Sequence, residues 1–149
     1  MVDRQTLTPS LNYDDPAAAI AWLERVFGFE PSMHIEDKDG NLVHAEMRAF
    51  GATLMLGPSG WMETARSPAS LQGVNTQRLH VEVPDADAQY ERVVREGGFV
   101  WKEPEDQFYG ARTFGAVDLE GHMWTFSTHM REVSIEDMEA ASGLTFVDS

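Results

Sequence analysis

Cysteine is absent from the 149-residue sequence, so the chain has neither a disulfide framework nor thiolate chemistry. Long apolar runs are absent too, because no run reaches the length of about eighteen apolar residues that a membrane-spanning helix needs. The first residues, 1–11, lack the basic region and the apolar run of a secretion signal. We therefore expect a cytoplasmic protein that has no membrane partner.

Basic residues are few, with 11 Lys and Arg against 25 Asp and Glu, and the formal net charge is −14. This balance argues against a nucleic-acid partner, because binding to nucleic acid needs basic patches that replace counterions. A large negative charge attracts cationic ligands over long range, and it also keeps a protein soluble. The charge alone does not decide between a cationic ligand and simple solubility.

The remaining composition, with 42% apolar and 24% charged residues, is typical of one compact globular unit with a buried core. Within it, two segments have the start, the apolar spacing and the stop of an amphipathic helix. The first begins after Asp15, with Pro16 at its first position, and ends at Gly28. The second begins after Asp85 and ends at Gly97-Gly98.

The two halves of the chain resemble each other at a shift of 70 residues. The identities fall at helix caps, helix stops and turns, which is where a duplicated unit needs the same residue. The matches are Asp15 with Asp85, Ala18 with Ala88, Arg25 with Arg95, Gly28-Phe29 with Gly98-Phe99, Gly40 with Gly110, and Gly51 with Gly121. The pattern indicates an internal repeat.

Strand-like runs surround each helix, so each half has the order β-α-β-β-β. The runs cover residues 7–13, 33–36, 42–50 and 53–56 in the first half, and 77–83, 99–102, 112–117 and 122–128 in the second. We expect a first module at 1–57, a linking loop at 58–75, a second module at 76–129 and a tail at 130–149. In the tail, Ser134 is a cap for a short helix that extends to Ala141.

Several motifs resemble the glyoxalase/bleomycin resistance protein/dioxygenase superfamily, whose members share the vicinal oxygen chelate fold. They are Tyr13-Asp14-Asp15-Pro16, Phe27-Gly28-Phe29, Tyr109-Gly110-Ala111-Arg112-Thr113-Phe114 and Asp118-Leu119-Glu120-Gly121-His122-Met123-Trp124-Thr125-Phe126. Thr128-His129 followed by Val133-Ser134-Ile135-Glu136-Asp137-Met138 is similar to the PhnB-like branch. The resemblance implies an α+β fold of two tandem βαβββ modules and a homodimer. It does not settle the function, because the superfamily contains lyases, isomerases, dioxygenases, thiol transferases and drug-sequestering proteins.

The resemblance also locates the four positions that hold metal ligands in metal-dependent members of the superfamily. They fall at Thr8 and Met55, and at their repeat mates Arg78 and Thr125. None of the four is a usual ligand for that site, and Arg78 is a permanent cation. We therefore expect no metal and no cofactor there.

Strand alternation predicts which side chains face the cleft. On the first strand, Leu7, Leu11 and Tyr13 are expected to pack inward, while Thr8 and Ser10 point to the cleft with Met55 and Thr125 of the later strands. Arg78, His80 and Glu82 share the cleft face of the fifth strand. Arg78 could bind an anion or a carbonyl, and His80 could act as an acid or base. Alternatively, the three form a polar network on a half-solvated sheet.

Other residues leave alternatives open. His44, Glu46 and His80 would make an irregular metal site if their strands brought them together. Trp101, Tyr109 and Arg112 are expected to line the cleft, where the aromatic rings would stack on a flat or cationic ligand, although aromatic residues here could also close a dimer or cap the core. Trp61 has the same alternatives. The sequence further predicts that Trp22 and Trp124 lie in the core and that His122 and His129 are exposed.

These observations favour a protein that binds a small molecule in a concave cleft without metal, with an antibiotic or another toxic compound as a candidate ligand. A metal-dependent lyase or dioxygenase with non-standard ligands is the first alternative. A metal-free enzyme that uses Arg78 and His80 is the second, and a purely structural role is the third.

Overall fold

A computed structural model of the protein describes residues 5–147. The elements are β1 (Ser10–Tyr13), α1 (Pro16–Trp22), β2 (Glu30–Glu36), β3 (Leu42–Ala49), β4 (Ala52–Pro58), β5 (Leu79–Glu82), α2 (Ala86–Arg95), β6 (Phe99–Asp106), β7 (Ala111–Val117), β8 (Met123–His129) and α3 (Ile135–Ser142). A wider π-type turn, Leu23–Phe27, continues α1, and a short 3-10 turn, Pro68–Leu71, lies in the linking loop. No helix among the described residues is long and apolar enough to cross a membrane.

The strands form two four-stranded sheets, with the orders β1-β4-β3-β2 and β5-β8-β7-β6. In each sheet the first strand runs parallel to the fourth, and the remaining pairs are antiparallel. Ser10 lies opposite Met55 in the first sheet, and their repeat mates, His80 and Thr125, lie opposite each other in the second. The α+β fold of two tandem βαβββ modules is thus confirmed.

The helices start where the sequence predicts, because each has a side chain that satisfies a free backbone amide. Asp15 accepts a hydrogen bond of 3.0 Å from the amide of Ala18, and Asp85 accepts one of 3.0 Å from Ala88. At the other end of the first helical segment, Gly28 adopts a φ of 76°, a left-handed conformation that favours glycine. The local signals therefore fix the position of each helix between its strands.

The two modules share one hydrophobic core. The ring of Phe27, at the end of the first helical segment, packs edge to face on Trp124 at 5.5 Å and on Phe126 at 5.0 Å. Both partners belong to β8 of the other module, and all three side chains are at most 1% exposed. Each module therefore buries the apolar face of the other.

Polar contacts lock the ends of the two helical segments together. Gln89 of α2 donates a hydrogen bond of 2.8 Å to the carbonyl of Phe27. Arg92 donates to the carbonyls of Glu24 and Arg25, at 3.1 and 3.2 Å. The carbonyls of Arg25 and Phe27 end a helix and lack backbone partners within it, so the second module completes the first helix.

A second junction joins the end of β1 to the turn between β7 and β8. The ring of His122 donates a hydrogen bond of 2.9 Å to the carbonyl of Asn12, and the carboxylate of Glu120 accepts hydrogen bonds from the amides of Asp14 and Asp15 at 2.6 and 3.0 Å. His122 is only 7% exposed, so the expectation of an exposed His122 is wrong. Its burial depends on Asn12 of the other module, which lies 110 positions earlier in the chain.

Most differences from the predicted strands concern their ends. Leu7 is 82% exposed, so its predicted inward packing is wrong. The first strand begins only at Ser10, after Pro9, which has no amide to donate to a sheet. Strand β6 is longer than predicted and continues to Asp106. The tail helix ends at Ser142, one residue beyond the predicted Ala141.

Candidate functional site

A groove of about 680 Å³ lies between the two modules, at the edge strands β1 and β5. Each of these strands pairs with only one other strand within residues 5–147, so the outer edges of both border the groove. Its walls are mostly apolar, with Leu11 on one side, Leu79 and Val81 on the other, and Trp124 and Phe50 also in the lining. The volume lies within the range of about 300–1,000 Å³ that is usual for small-molecule sites.

The polar side chains of the groove come mainly from β5. Arg78, just before β5, and His80 and Glu82 on it all line the groove, as do Leu79 and Val81 between them. The ring of His80 lies 3.1 Å from the carboxylate of Glu82. Arg78 makes neither an ion pair nor a side-chain hydrogen bond with any residue of 5–147, so these three side chains do not form one closed polar network.

On the opposite side of the groove, Ser10 of β1 is the polar side chain that the sequence analysis placed in the cleft. Thr8 is half-buried just before β1 and is not part of the lining, although its neighbours Leu7 and Pro9 are. Met55 and Thr125 are half-buried on β4 and β8, beside Ser10 and His80, and are not part of the lining. The groove therefore contains four of the ten predicted site residues: Ser10, Arg78, His80 and Glu82.

Trp101 lies on the sheet of the second module, outside the groove. It is the extra residue of a bulge in β6, and its indole covers Gly115 of β7, where an added Cβ would stand 2.2 Å from the ring. The indole N–H donates a hydrogen bond of 3.2 Å to the carbonyl of Ala116. In the sheet register, His80, Thr125 and Gly115 lie side by side on three adjacent strands. Two strand spacings, about 10 Å in total, therefore separate the groove from the indole.

Arg112 and Tyr109 were also expected in the cleft, and the structure places both away from the groove. The guanidinium of Arg112 donates hydrogen bonds of 2.9 Å to Asp87 at the start of α2 and to Asp106 of β6. These two carboxylates, Asp87 first, raise the pKa of Arg112 and hold it on the helix side of the sheet. Tyr109 is 42% exposed and packs edge to face on Phe108.

A family model described as the Glyoxalase/Bleomycin resistance protein/Dioxygenase superfamily matches residues 5–126. The chain belongs to this superfamily. An uncharacterized protein of Mycobacterium bovis is 33% identical to it over 138 residues, which cover 91% of this chain and 90% of the relative. An uncharacterized protein of Mycobacterium tuberculosis is also 33% identical, over 91% of this chain and 81% of that protein.

Solved structures of the same superfamily fold are similar over nearly their whole length. TioX from Micromonospora sp. ML1 has a TM-score of 0.68 and 28% identity, over 87% of this chain and 100% of that chain. A superfamily member from Sphaerobacter thermophilus has a TM-score of 0.69 and 22% identity, over 86% and 99%. TnmS3 from Streptomyces sp. CB03234, an antibiotic binding protein, has a TM-score of 0.65 and 19% identity, over 87% and 98%. The likenesses to the last two show the fold alone.

The four positions at which the resemblance places the metal ligands of the superfamily do not suit a divalent cation in this chain. Thr8 and Thr125 offer neutral hydroxyls, Met55 a thioether and Arg78 a cation, whereas such sites use imidazole, carboxylate or amide groups. Neither module therefore provides suitable metal ligands at these positions.

The structure does not assemble the irregular metal site either. His44 and Glu46 lie 3.6 Å apart on β3, while the carboxylate near His80 is that of Glu82 on the same strand. Within residues 5–147, no group of three His, Asp or Glu side chains is arranged to hold a metal ion.

Phe50 and Gln5 are among the lining residues that sequence reasoning did not find. Phe50 borders the groove from the turn between β3 and β4, where it adopts a φ of 49°. Gln5 borders it from the segment before β1 and holds that segment by hydrogen bonds to the backbone of Thr53 at 2.7 and 3.1 Å. Phe50 could have been suspected from the sequence, because it is a large apolar residue in a turn, where polar residues are usual.

Trp61 is another aromatic residue whose position the sequence left open. Its indole N–H donates a hydrogen bond of 3.2 Å to the side chain of Asn12, and the residue remains 69% exposed. It therefore lies near the end of β1, outside the groove lining.

Proposed function

We propose that this protein binds a small organic molecule in the groove between β1 and β5. The groove itself carries the proposal: it combines apolar walls with a few polar side chains, Ser10, Arg78 and His80, at a volume of about 680 Å³. Apolar walls supply affinity through surface burial, and a few polar groups fix the orientation of the ligand.

Antibiotics or other toxic compounds are the ligand class that we propose. TnmS3 supports this choice, because a protein with the same fold is an antibiotic binding protein. The apolar groove also suits such compounds, whose ring systems have large apolar surfaces. Trp101 adds a flat aromatic surface about two strand spacings from His80, within reach of a ligand longer than the groove.

Binding in this proposal needs no resident metal. The unsuitable donors at Thr8, Met55, Arg78 and Thr125 support this part of the proposal, since none is a good ligand for a divalent cation. The ligand would therefore be held by burial of apolar surface and by hydrogen bonds to the side chains of β5.

A homodimer, expected from the resemblance, belongs to the same proposal. Large apolar side chains outside the groove support it, since Trp61 is 69% and Phe99 67% exposed, and exposed apolar surface often marks an interface. Sedimentation equilibrium tests it, and a chain that remains monomeric at high concentration would contradict it.

The binding proposal is tested with N-phenyl-1-naphthylamine, a neutral aromatic probe that fluoresces in apolar sites. We expect the wild-type protein to bind it, and Ser10→Trp to weaken binding because the larger side chain fills the groove from β1. Ser70→Trp, in the exposed linking loop, is the matched control and should bind like the wild type. EDTA should leave the affinity unchanged. A dissociation constant that is unaffected by Ser10→Trp would refute the groove as the site, and a loss of binding with EDTA would favour the metal-dependent alternative.

A further inference from the structure

We infer that the ligand of the groove carries an anionic oxygen group, such as a carboxylate or sulfonate, and that Arg78 binds this group. The inference rests on the proposed function, because it assigns a chemical class to the molecule in the same groove. It opposes the cationic ligand that the net charge of −14 favours.

The charges that line the groove support an anion. Its charged and titratable side chains are Arg78, His80 and Glu82. The carboxylate of Glu82 lies 3.1 Å from the ring of His80 and so already has a partner. The guanidinium of Arg78, in contrast, has no partner within residues 5–147 and is free to bind an anionic group.

Several other basic side chains are engaged by protein groups, and Arg78 is the only Arg or Lys side chain among residues 5–147 that lines the groove. Arg112 binds two carboxylates, Lys102 lies 3.0 Å from Glu105, and Arg92 binds backbone carbonyls of the other module. Lys38, Arg48, Arg66 and Arg131 also lack a side-chain partner within residues 5–147, but they lie outside the groove lining. Arg78 has none within residues 5–147, although it lies at the edge of a groove.

Whether a ligand in the groove responds mainly to the charge of Arg78 or to the net charge of the protein depends on its distance from these charges. Salt screens surface charges beyond about 8 Å at physiological ionic strength, so most of the acidic residues act weakly inside the groove. A guanidinium in contact with the ligand is much less screened. Attraction of cations to the surface as a whole is therefore compatible with preference for an anion at Arg78.

The position of Arg78 strengthens this inference. By resemblance it corresponds to a metal-ligand position, where a permanent cation is unsuitable for holding a metal. A guanidinium there can instead bind two oxygens of one carboxylate or sulfonate through parallel N–H donors. The apolar part of such a molecule would lie against Leu79 and Val81, which line the groove on the same strand.

Two probes with the same aromatic body separate the anion inference from the binding proposal. 1-Anilinonaphthalene-8-sulfonate carries a sulfonate, and N-phenyl-1-naphthylamine lacks it. We expect Arg78→Gln to weaken binding of the sulfonate probe about tenfold, as expected for loss of one charge-assisted hydrogen-bonding group, and to leave the neutral probe unchanged. Arg78→Lys, which retains the charge without the paired donors, should restore part of the affinity.

The matched control is Arg66→Gln, which removes the same charge from an exposed arginine that lies outside the groove lining and has no ion pair with residues 5–147. It should change neither affinity, and higher salt should weaken only the sulfonate probe. Equal effects of Arg78→Gln on both probes, or none on either, would overturn the anion inference while binding of the neutral probe still supported the groove. Failure of the wild type to bind either probe would overturn the proposed function itself.

Discussion

The hydroxyl of Tyr13 donates a hydrogen bond of 2.6 Å to the carboxylate of Asp118, 105 positions later in the chain. Tyr13 ends β1 and Asp118 begins the turn between β7 and β8, so the bond joins the two modules. Both side chains are buried, at 0% and 5% exposure, and the indole N–H of Trp124 donates to the same carboxylate oxygen at 3.2 Å. A charged acceptor that is buried in this way needs all of its donors.

Tyr13→Phe should lower the free energy of unfolding by about 1.5–3 kcal/mol, the usual range for a hydrogen bond to a charged group. Urea denaturation followed by circular dichroism measures the change. Tyr109→Phe is the control, because it removes a hydroxyl from a tyrosine that is 42% exposed and should cost less. Equal losses of unfolding free energy in both variants would mean that the hydrogen bond to Asp118 contributes no more to stability than the hydroxyl of the control tyrosine.

The effect of Tyr13→Phe should depend on pH in the alkaline range. Burial, reinforced by the charge of Asp118, raises the pKa of Tyr13 well above its ordinary value. The unfolded chain therefore loses the phenol proton at pH about 10 while the folded chain keeps it. The stability from the neutral phenol is complete below pH about 10 and is lost as the pH rises toward the folded-state pKa. The difference between wild type and variant should be constant below this range and shrink above it; a growing difference would contradict the assignment.

Gly115→Ala should destabilise the protein and displace Trp101. The added methyl group would stand 2.2 Å from the indole, so the ring must leave the sheet, and overpacking of this kind costs about 1–3 kcal/mol. Intrinsic tryptophan fluorescence and urea denaturation measure the two effects. Gly57→Ala is the control on the other sheet, because its Cβ would meet only the carbonyl of Val43 at 3.4 Å. An unchanged tryptophan fluorescence spectrum in Gly115→Ala would show that the indole of Trp101 does not occupy the space above Gly115.

Arg112→Ala should leave the affinity for both naphthalene probes within about twofold of the wild type, well short of the tenfold step that 1.4 kcal/mol represents. The reason is its position on the helix side, where Asp87 and Asp106 hold it. Its melting temperature should fall, because two carboxylates lose their partner. A large loss of binding without a change in melting temperature would instead place Arg112 at the ligand.

Untagged protein purified without chelators should contain far less than one metal ion per chain, and added Zn²⁺, Mn²⁺ or Ni²⁺ should not raise its melting temperature. A ligand that binds the folded state must stabilise it, so the two measurements check each other. Elemental analysis by mass spectrometry gives the metal content. A stoichiometric, stabilising metal would contradict this expectation and direct attention to His44, Glu46 and His80.

Local signals explain why so much of the fold could be predicted from the sequence. Asp15 and Asp85 cap their helices through contacts three residues away, which a linear pattern contains completely. Leu7 was misplaced because the first strand begins only after Pro9, and His122 was misplaced because its environment depends on a distant residue. The burial of His122 requires Asn12 of the other module, and no local pattern records that contact.

The candidate site was partly accessible by the same reasoning. Alternation along β5 placed Arg78, His80 and Glu82 together, and the structure has all three in the groove. For Arg112 the alternation pattern gave the correct side, but it was not applied. Arg112 lies two residues before Phe114, whose ring is 0% exposed in the core, so both side chains point to the same side of the strand. The contribution of Phe50 could not be derived, since it depends on how the two modules dock.

The burial of Phe27 under Trp124 and Phe126 also bears on how such a chain could arise. A single module would leave Phe27 without cover and the carbonyls at the end of its helix without donors, at a cost that few domains of that size can offset. An ancestral single module would therefore have had to associate with a second copy of itself. Fusion of the two copies into one gene would then have made this association permanent and freed each half to change separately, so that Arg78 in one half now stands at the repeat position that Thr8 holds in the other.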